Sequence, residues 1–322
     1  MELVFAEDVE MDKTKTIGFL AAFGAATLMG FVGFFARHIN AQGDVIAFSR
    51  MFCGALLFFF ILLGLGRIRD LRKYRLSPAM VFSGLFMGAC LSAYIAATQM
   101  TTIANAVFFI YVGPIISTLL AIIFLKEPFK PITMFSIGIV FVGMLLIVGL
   151  IKFNDGGISF GITFNKATFA GDMLALASGV GFGLFLFLGR FRQDVPGDVR
   201  SFWNFFFALI AICIMFMFSK PTVAQMTASD WAWWIGIGVV CGFGALSLCT
   251  IATKNLLAVE FATISYWECV VASIIGIVIF HEPLSAMQVI GGILIIVGGT
   301  CEMAVGAVRK HLNKKTVDIK VA

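Results

Sequence analysis

The sequence predicts an all-α membrane protein with ten transmembrane helices arranged as two inverted five-helix repeats. Three observations predict this fold: a very apolar composition, ten apolar runs of membrane-spanning length, and an internal repeat with an odd number of helices in each copy. Of the 322 residues, 60% are hydrophobic and only 13% are charged, against roughly 25% charged in soluble domains. Because a water-soluble core of this size could not bury so much apolar surface, lipid is expected to surround the helices.

Ten apolar runs follow one another along the chain, separated by short loops. A helix needs about 20 mostly apolar residues to cross a bilayer. Strands of an outer-membrane barrel are not expected, because the runs are too long and do not alternate polar with apolar side chains. The predicted spans are residues 16–36, 45–65, 79–98, 102–125, 132–151, 168–189, 199–218, 231–252, 259–280 and 285–307.

The distribution of basic residues predicts the orientation. With the N-terminus in the cytoplasm, 18 of the 23 Lys and Arg residues fall in cytoplasmic segments and four in external ones, while Arg50 lies within a span. Cytoplasmic loops of membrane proteins carry such an excess of positive charge. We therefore expect a protein of the cytoplasmic membrane with both termini in the cytoplasm.

The tails and the linker complete the division of the chain. The acidic N-terminal tail lacks the basic start and the cleavage site of a secretory signal peptide, so the first span is expected to be retained. The polar linker contains Asn154-Asp155-Gly156-Gly157 and is expected to form an ordered external turn. The predicted segments are a cytoplasmic N-tail (1–15), a first repeat (16–151), an external linker (152–167), a second repeat (168–307) and a basic cytoplasmic C-tail (308–322).

Two stretches of the chain match each other at a constant offset of 155 residues. Because five is odd, a duplicated five-helix unit must enter the membrane from the opposite side in its second copy. Inverted repeats are the architecture of many secondary transporters, whose solute site lies near the bilayer midplane between the repeats. The matched pairs are Tyr111 with Tyr266, Thr118 with Ser273, Glu127 with Glu282, Pro128 with Pro283, and Gly143 with Gly298.

These motifs resemble those of the drug/metabolite transporter superfamily, specifically its EamA-type ten-helix group. The resemblance covers roughly residues 16–307. It rests on Arg50, Ala104-Asn105-Ala106, Tyr111-x-x-Pro114 and Lys126-Glu127-Pro128 in the first half, and on Ser265-Tyr266-Trp267-Glu268, His281-Glu282-Pro283 and Gly291-Gly292 in the second.

The resemblance implies a central cavity between the two halves and transport of amino acids, other metabolites or toxic cations, by export in many members and by uptake in some. One position departs from the family pattern. Many members carry a proline after the glutamate of the ninth helix, where this chain has Cys269. We therefore expect a straighter ninth helix.

Two ionisable residues inside predicted spans are candidates for binding a solute. Glu268 lies near the middle of the ninth span, where an ionised and unpaired carboxylate costs roughly 2.5 kcal/mol or more. It either binds a solute ammonium or a coupling proton, or accepts hydrogen bonds that hold the bundle together. Arg50 either extends its long side chain to the outer interface, or pairs with a carboxylate or an anionic solute group.

Matching polar faces in the two halves supply further candidates. Tyr111 and Thr118 are seven residues apart and share a helix face, which Tyr266 and Ser273 repeat. These side chains either line a solute cavity, or the tyrosines pack with their hydroxyls bonded to carbonyls. Tyr266 and Glu268 are about 200° apart on an ideal helix, so a narrow pathway would contact only one of them. Trp267 lies between the two.

The remaining polar residues have mainly structural interpretations. Asn105 is expected to hydrogen-bond across helices, with solute binding as the alternative. Pro114 is expected to kink the fourth span, and Glu127 and Glu282 are interpreted as helix-boundary residues. The seven Cys residues are interpreted as small buried apolar groups, so no metal or cofactor is expected.

The sequence therefore favours a secondary transporter that exports a small amphipathic metabolite such as an amino acid. Uptake of a cation held by Glu268 with Trp267 and Tyr266 as a cation–π box is the alternative. A membrane enzyme would need a catalytic cluster such as HExxH, and a receptor would need a sensory segment; neither pattern is present. The expected partners are the lipid bilayer, the solute and a proton or other coupling ion. A homodimer is left open, and nucleic acid is not expected.

Overall fold

The computed structural model describes residues 2–126, 151–154, 157–160, 167–192, 194–221, 223–256 and 264–298, with single helical residues between 135 and 146 and at 261. In this part of the chain the fold is helical apart from one short hairpin. The helices are α1 (Glu2–Gly30), α2 (Val32–Arg37), α3 (Gly43–Gly64), α4 (Asp70–Lys73), α5 (Pro78–Met100), α6 (Ile103–Ile110), α7 (Gly113–Phe124), α8 (Phe169–Leu188), α9 (Gly197–Ser219), α10 (Ala228–Ile237), α11 (Ala245–Asn255), α12 (Trp267–Phe280) and α13 (Ala286–Gly298). A π-helical segment, Gly238–Gly244, joins α10 to α11, and a 3₁₀ turn covers Val223–Gln225.

Seven stretches of this structure are long and apolar enough to cross a membrane. They correspond to the predicted spans one to four and six to eight. The shorter apolar helices α12 and α13 fall inside the predicted ninth and tenth spans. The fifth predicted span, 132–151, lies mostly outside the described residues, as does Glu127. A multi-pass membrane protein is thus confirmed, while the count of ten helices stays a prediction.

Local sequence signals explain where several helices begin. The hydroxyl of Ser77 accepts a hydrogen bond from the backbone N–H of Met80, with Pro78 at the first helical position of α5. Thr102 caps α6 in the same way, by accepting from the N–H of Asn105 at 3.1 Å. At α10, Thr227 and Asp230 form a reciprocal capping box. Such caps satisfy N–H groups that have no partner within the helix.

The helical fold is confirmed, and the connection between the halves adds one short β-hairpin to it. Strand β1 (Ile151–Asn154) pairs antiparallel with β2 (Gly157–Phe160), and Lys152 lies opposite Ser159. Asn154 lies opposite Gly157 at the end of the pairing. A polar segment outside the apolar spans thereby pairs its own backbone groups.

Helices from the two halves of the chain pack against each other throughout the bundle. Helix α5 packs on α8 and α9, and α1 packs on α11 and α12. Helix α3 lies against α5, α9 and the π segment, while α6 contacts both α8 and α12. Buried residues of both halves, such as Phe109 and Ile212, accordingly belong to one core.

Two carboxylates at helix starts connect α3 with α9. Asp44, in the first turn of α3, accepts a hydrogen bond of 2.6 Å from the hydroxyl of Ser219 at the end of α9. Asp198, in the first turn of α9, accepts one of 2.5 Å from the guanidinium of Arg67, which follows α3. Each helix therefore holds the C-terminal end of the other, as expected for antiparallel neighbours.

Gly88 lies where α5 comes close to the backbone of α9, and its substitution should destabilise the fold. A Cβ atom at this position would collide with the backbone of Ala208. We expect Gly88→Ala to lower the free energy of unfolding by about 1–3 kcal/mol, the usual cost of overpacking. The measurement is unfolding in a detergent titration. Gly64→Ala is the matched control, because a Cβ there meets nothing within 4 Å and alanine is the better helix former. Equal losses in both variants would contradict this account.

Candidate functional site

The fourth and ninth predicted spans cross at Tyr111 and Tyr266. The centroids of the two rings are 5.0 Å apart, with the ring planes tilted by 40°. These tyrosines are equivalent to each other at the 155-residue offset of the repeat. The structure therefore brings together two residues that the sequence had assigned to corresponding positions in different halves.

The fourth span is interrupted at this crossing. Helix α6 ends at Ile110 and α7 begins at Gly113, with Tyr111 and Val112 in the turn between them. Pro114 has no backbone N–H, so the carbonyl of Ile110, four residues earlier, lacks its helical partner. The predicted kink at Pro114 is confirmed, and it takes the form of a break in the helix.

The ninth span is also interrupted, at Tyr266, while α12 runs unbroken through Cys269; the expectation of a straighter ninth helix stays a prediction. Tyr266 forms a turn before α12 begins at Trp267. The backbone N–H of Cys269 bonds the carbonyl of Tyr266 at 3.0 Å, three residues back, so the carbonyl of Ser265 is left for another donor. A tightened turn of this kind does not require proline.

Glu268 is joined to Tyr111 across the crossing. The hydroxyl of Tyr111 lies 2.8 Å from Oε2 of Glu268 and 2.7 Å from the carbonyl oxygen of Ser265, and shares its one proton between these acceptors. The hydroxyl of Tyr266 is buried without a hydrogen-bond partner in the described structure. The carboxylate of Glu268 therefore contacts Tyr111, the tyrosine of the other half. Tyr266 points in a different direction, because it lies about 200° from Glu268 around the axis of an ideal helix.

Arg50 is buried inside the bundle, so the interpretation that it extends to the outer interface is wrong. Its exposed fraction is 5%. One terminal nitrogen donates a hydrogen bond of 3.1 Å to the sulfur of Met29, a weak acceptor, and Nε has no partner in the described structure. No ion pair joins the guanidinium to the carboxyl of Glu268, whose described hydrogen bond is the one from Tyr111. A buried cation with so few partners is costly.

The π-helical segment packs against the turn of α3 that carries Arg50. A Cβ atom at Gly242 would meet the backbone of Arg50, and one at Gly238 would collide with the side chain of Ser49. The hydroxyl of Ser49 donates to the carbonyl of Trp234 at 2.6 Å. Such π segments occur frequently at functional sites. The sequence analysis missed this one, although the glycines of Gly238–Gly244 were a visible signal.

Three other predicted site residues make their described hydrogen bonds to groups other than Glu268. Thr118 and Ser273 donate to carbonyls of their own helices, at 3.0 Å to Pro114 and 2.7 Å to Cys269. The indole of Trp267 donates to the hydroxyl of Thr27 and packs edge-on against Phe23 of α1, with 39% of the residue exposed. Trp267 therefore packs on α1, and the cation–π box stays a prediction.

A second polar cluster lies where α2 ends and α6 begins, and we call it the Arg37 cluster. Glu282 forms an ion pair with Arg37 and accepts a 3.0 Å hydrogen bond from the N–H of Ile103 at the start of α6. Arg37 also donates to the carbonyls of Thr98 at 2.9 Å and Thr101 at 2.7 Å. Glu282 is thus more than a helix-boundary residue: together with Arg37 it connects α2, the end of α5, the start of α6 and the segment after α12.

Asn105 lies beside the Arg37 cluster and makes the predicted hydrogen bonds between helices. Its amide donates to Asp172 at 3.1 Å and accepts from Gln288 at 2.9 Å, and Thr101 donates to the same carboxylate at 2.6 Å. An adjoining cavity of about 620 Å³ is lined by Arg37, Gln99, Met100, Thr101, Thr102, Thr168, Phe280 and Glu282. The sequence analysis missed Arg37, Asp172 and Gln288, since no motif marked them.

The comparisons with known proteins agree with this fold. A profile described as the EamA-like transporter family matches the chain twice, over residues 16–149 and 169–301. An uncharacterized transporter of Archaeoglobus fulgidus is 25% identical over 279 residues, covering 85% of this chain and 92% of the relative. An uncharacterized transporter of Bacillus subtilis, YojE, is 23% identical over 247 residues, 76% of either chain. A crystal structure with 18% identity matches with a TM-score of 0.60 over 91% of this chain and 98% of its own; it supports the fold alone.

Proposed function

This chain belongs to the EamA-like transporter family, and we propose that it exports a small amphipathic metabolite of the amino-acid type across the cytoplasmic membrane. The chain is a transporter and not an enzyme. In our proposal two inverted five-helix repeats, 16–151 and 168–307, alternate in opening a central site to either side, and a proton or another ion gradient drives the movement. The Arg37 cluster is then external and both termini are cytoplasmic.

The packing of the helices supports two inverted repeats. The contact of α5 with α8 has its counterpart in the contact of α11 with α1, as an exchange of the two halves requires. Helices α3 and α9 are equivalent to each other, so an exchange of the halves leaves their contact unchanged. Each of the two helices places an aspartate, Asp44 or Asp198, at the C-terminal end of the other. The sequences Gly43-Asp44-Val45 and Gly197-Asp198-Val199, at an offset of 154, carry the same relation.

The proposal for the solute rests on one observation: Arg50 is buried and Glu268 is half-buried, and neither a hydrogen bond nor an ion pair joins these opposite charges in the described structure. A molecule with both an ammonium and a carboxylate would supply a partner to each. We assign Glu268 to the ammonium and Arg50 to the carboxylate, since a guanidinium binds a carboxylate through two parallel hydrogen bonds. Tyr111 and Tyr266 form the wall at the crossing. Thr118, Ser273, Asn105 and Trp267 lie outside this assignment.

The alternative, uptake of a quaternary amine, is not favoured by the same geometry. It required aromatic faces of Trp267 and Tyr266 around a cation, and Trp267 packs on α1. It also leaves Arg50 without an anionic partner. A quaternary amine has no group for a buried guanidinium and would be repelled by it.

A flux screen in proteoliposomes tests the proposal. We expect neutral amino acids to exchange at rates about tenfold or more above empty liposomes, and their carboxamides and quaternary amines to exchange at the background rate, because the missing carboxylate leaves Arg50 unpaired. Opposite proton gradients across the same vesicles report coupling and direction. Exchange of a quaternary amine without exchange of amino acids would establish the alternative. Absence of exchange by any amino acid would overturn the assignment.

A further inference from the structure

We propose that Tyr111 and Tyr266 exchange hydrogen-bonding roles between the two access states. In the state described here, the hydroxyl of Tyr111 donates to Ser265 and Glu268. In the opposite state, the hydroxyl of Tyr266 donates to the carbonyl of Ile110, and Tyr111 releases both of its acceptors. This inference rests on the proposed alternation of inverted repeats and adds a switch at the centre of the site.

The starting observation is that two equivalent tyrosines have unequal partners. Their rings are in contact at 5.0 Å, yet only Tyr111 has an acceptor for its hydroxyl. Tyr266 is 3% exposed, so water does not readily replace the missing partner. A buried hydroxyl without a partner is costly, and the cost has a natural explanation if the partner exists in the other state.

The two carbonyl groups that accept in these two states, those of Ser265 and Ile110, do not receive the usual helical hydrogen bond from the residue four positions later. The carbonyl of Ser265 is released because the N–H of Cys269 turns to Tyr266 instead. The carbonyl of Ile110 is released because Pro114 has no N–H to donate. Ile110 and Ser265 are themselves equivalent at the 155-residue offset. An exchange of the halves therefore converts the bond from Tyr111 to Ser265 into a bond from Tyr266 to Ile110.

The carboxylate of Glu268 makes the exchange unequal and links it to the solute. The position equivalent to Glu268 in the first repeat is Gly113, which has no side chain. When the hydroxyl of Tyr111 breaks its hydrogen bond to Glu268, the exchanged state supplies no other donor to this carboxylate. The carboxylate then becomes available to a solute ammonium or a proton. A ligand that binds one state more tightly shifts the equilibrium toward it. Binding at Glu268 thus favours the exchanged state.

Hydrogen–deuterium exchange of the full-length protein in detergent, without solute, tests the switch. The amide of Ile103 is held by Glu282, so its peptide reports whether the Arg37 cluster is closed. We expect Tyr111→Phe to raise deuterium uptake there about two- to tenfold and Tyr266→Phe to lower it by a similar factor, since each removes one hydrogen bond from one state only. The double variant should return to within about twofold of the parent, because both states then lose one bond.

The chain supplies a matched pair of control positions. Thr118 and Ser273 are also equivalent in the repeat, but each hydroxyl bonds its own helix. Thr118→Val and Ser273→Ala should leave uptake at Ile103 unchanged. Uptake shifts of the same sign in both tyrosine variants, or no shift in either, would overturn the switch. Melting temperatures identify a variant that has simply unfolded, and for such a variant the shift is measured with Tyr111→Leu or Tyr266→Leu, which also lack the hydroxyl.

Failure of the switch and failure of the proposed function give different results. Opposite shifts in deuterium uptake establish the switch even if no amino acid moves in the flux screen, because that readout needs no solute. Amino-acid exchange with unshifted uptake overturns the switch and leaves the transported class intact.

Discussion

Substitution of Glu268 by glutamine is expected to lower the affinity for an amino acid by about 10- to 100-fold, as befits the loss of a charge-assisted hydrogen bond of roughly 1.5–3 kcal/mol. The amide keeps the size of the side chain and an oxygen that accepts from Tyr111, so the crossing of α6 and α12 should remain intact. What changes is the charge that the solute ammonium meets.

The measurement is the concentration dependence of exchange in proteoliposomes, with the melting temperature recorded in parallel. Dependence of the flux on pH should also flatten, because glutamine cannot bind or release a proton. Asp194→Asn is the control: it removes a carboxylate that pairs with Arg192 at the exposed connection between α8 and α9 and should leave solute affinity within about twofold, since that group lies outside the assigned site and the Arg37 cluster. Unchanged affinity and pH dependence in Glu268→Gln would make the carboxylate purely structural.

Substitution of Arg50 by methionine is expected to separate stability from binding. Replacement of a poorly paired buried charge by an apolar side chain of similar length is often neutral or stabilising. Arg50→Met should therefore keep or raise the melting temperature. Its affinity for an amino acid should fall about 10- to 100-fold, the loss of a paired carboxylate.

Matched probes and a matched position make this prediction specific. The variant should no longer discriminate an amino acid from its carboxamide, whereas the parent prefers the acid. Arg50→Lys should bind with intermediate affinity, because lysine keeps the charge but not the planar fork. Asn204 occupies the equivalent position in α9 at the 154-residue offset and is also buried with an unpaired oxygen. Asn204→Leu should leave the preference unchanged, and a preference that persisted in Arg50→Met would contradict the assignment.

Much of the fold follows from local properties that a sequence displays directly. Hydropathy predicts where a helix crosses lipid, because each residue is solvated by the bilayer largely independently of its neighbours. The interruption at Pro114 was likewise foreseeable, since the missing N–H belongs to the residue itself. The interruption at Tyr266 was not, because no single residue type imposes a tightened turn.

By itself, the sequence determined the membrane-spanning class, the family and the presence of Glu268 and Arg50 within apolar segments. Only the tertiary structure decided that Tyr111 contacts Glu268, that Arg50 stays buried, that Trp267 turns to α1 and that Arg37 reaches Glu282. Each of these contacts depends on how far a helix is rotated about its axis when it meets another. Successive residues differ by about 100° in direction, so small shifts at a helix break redirect a side chain that the pattern alone leaves undetermined.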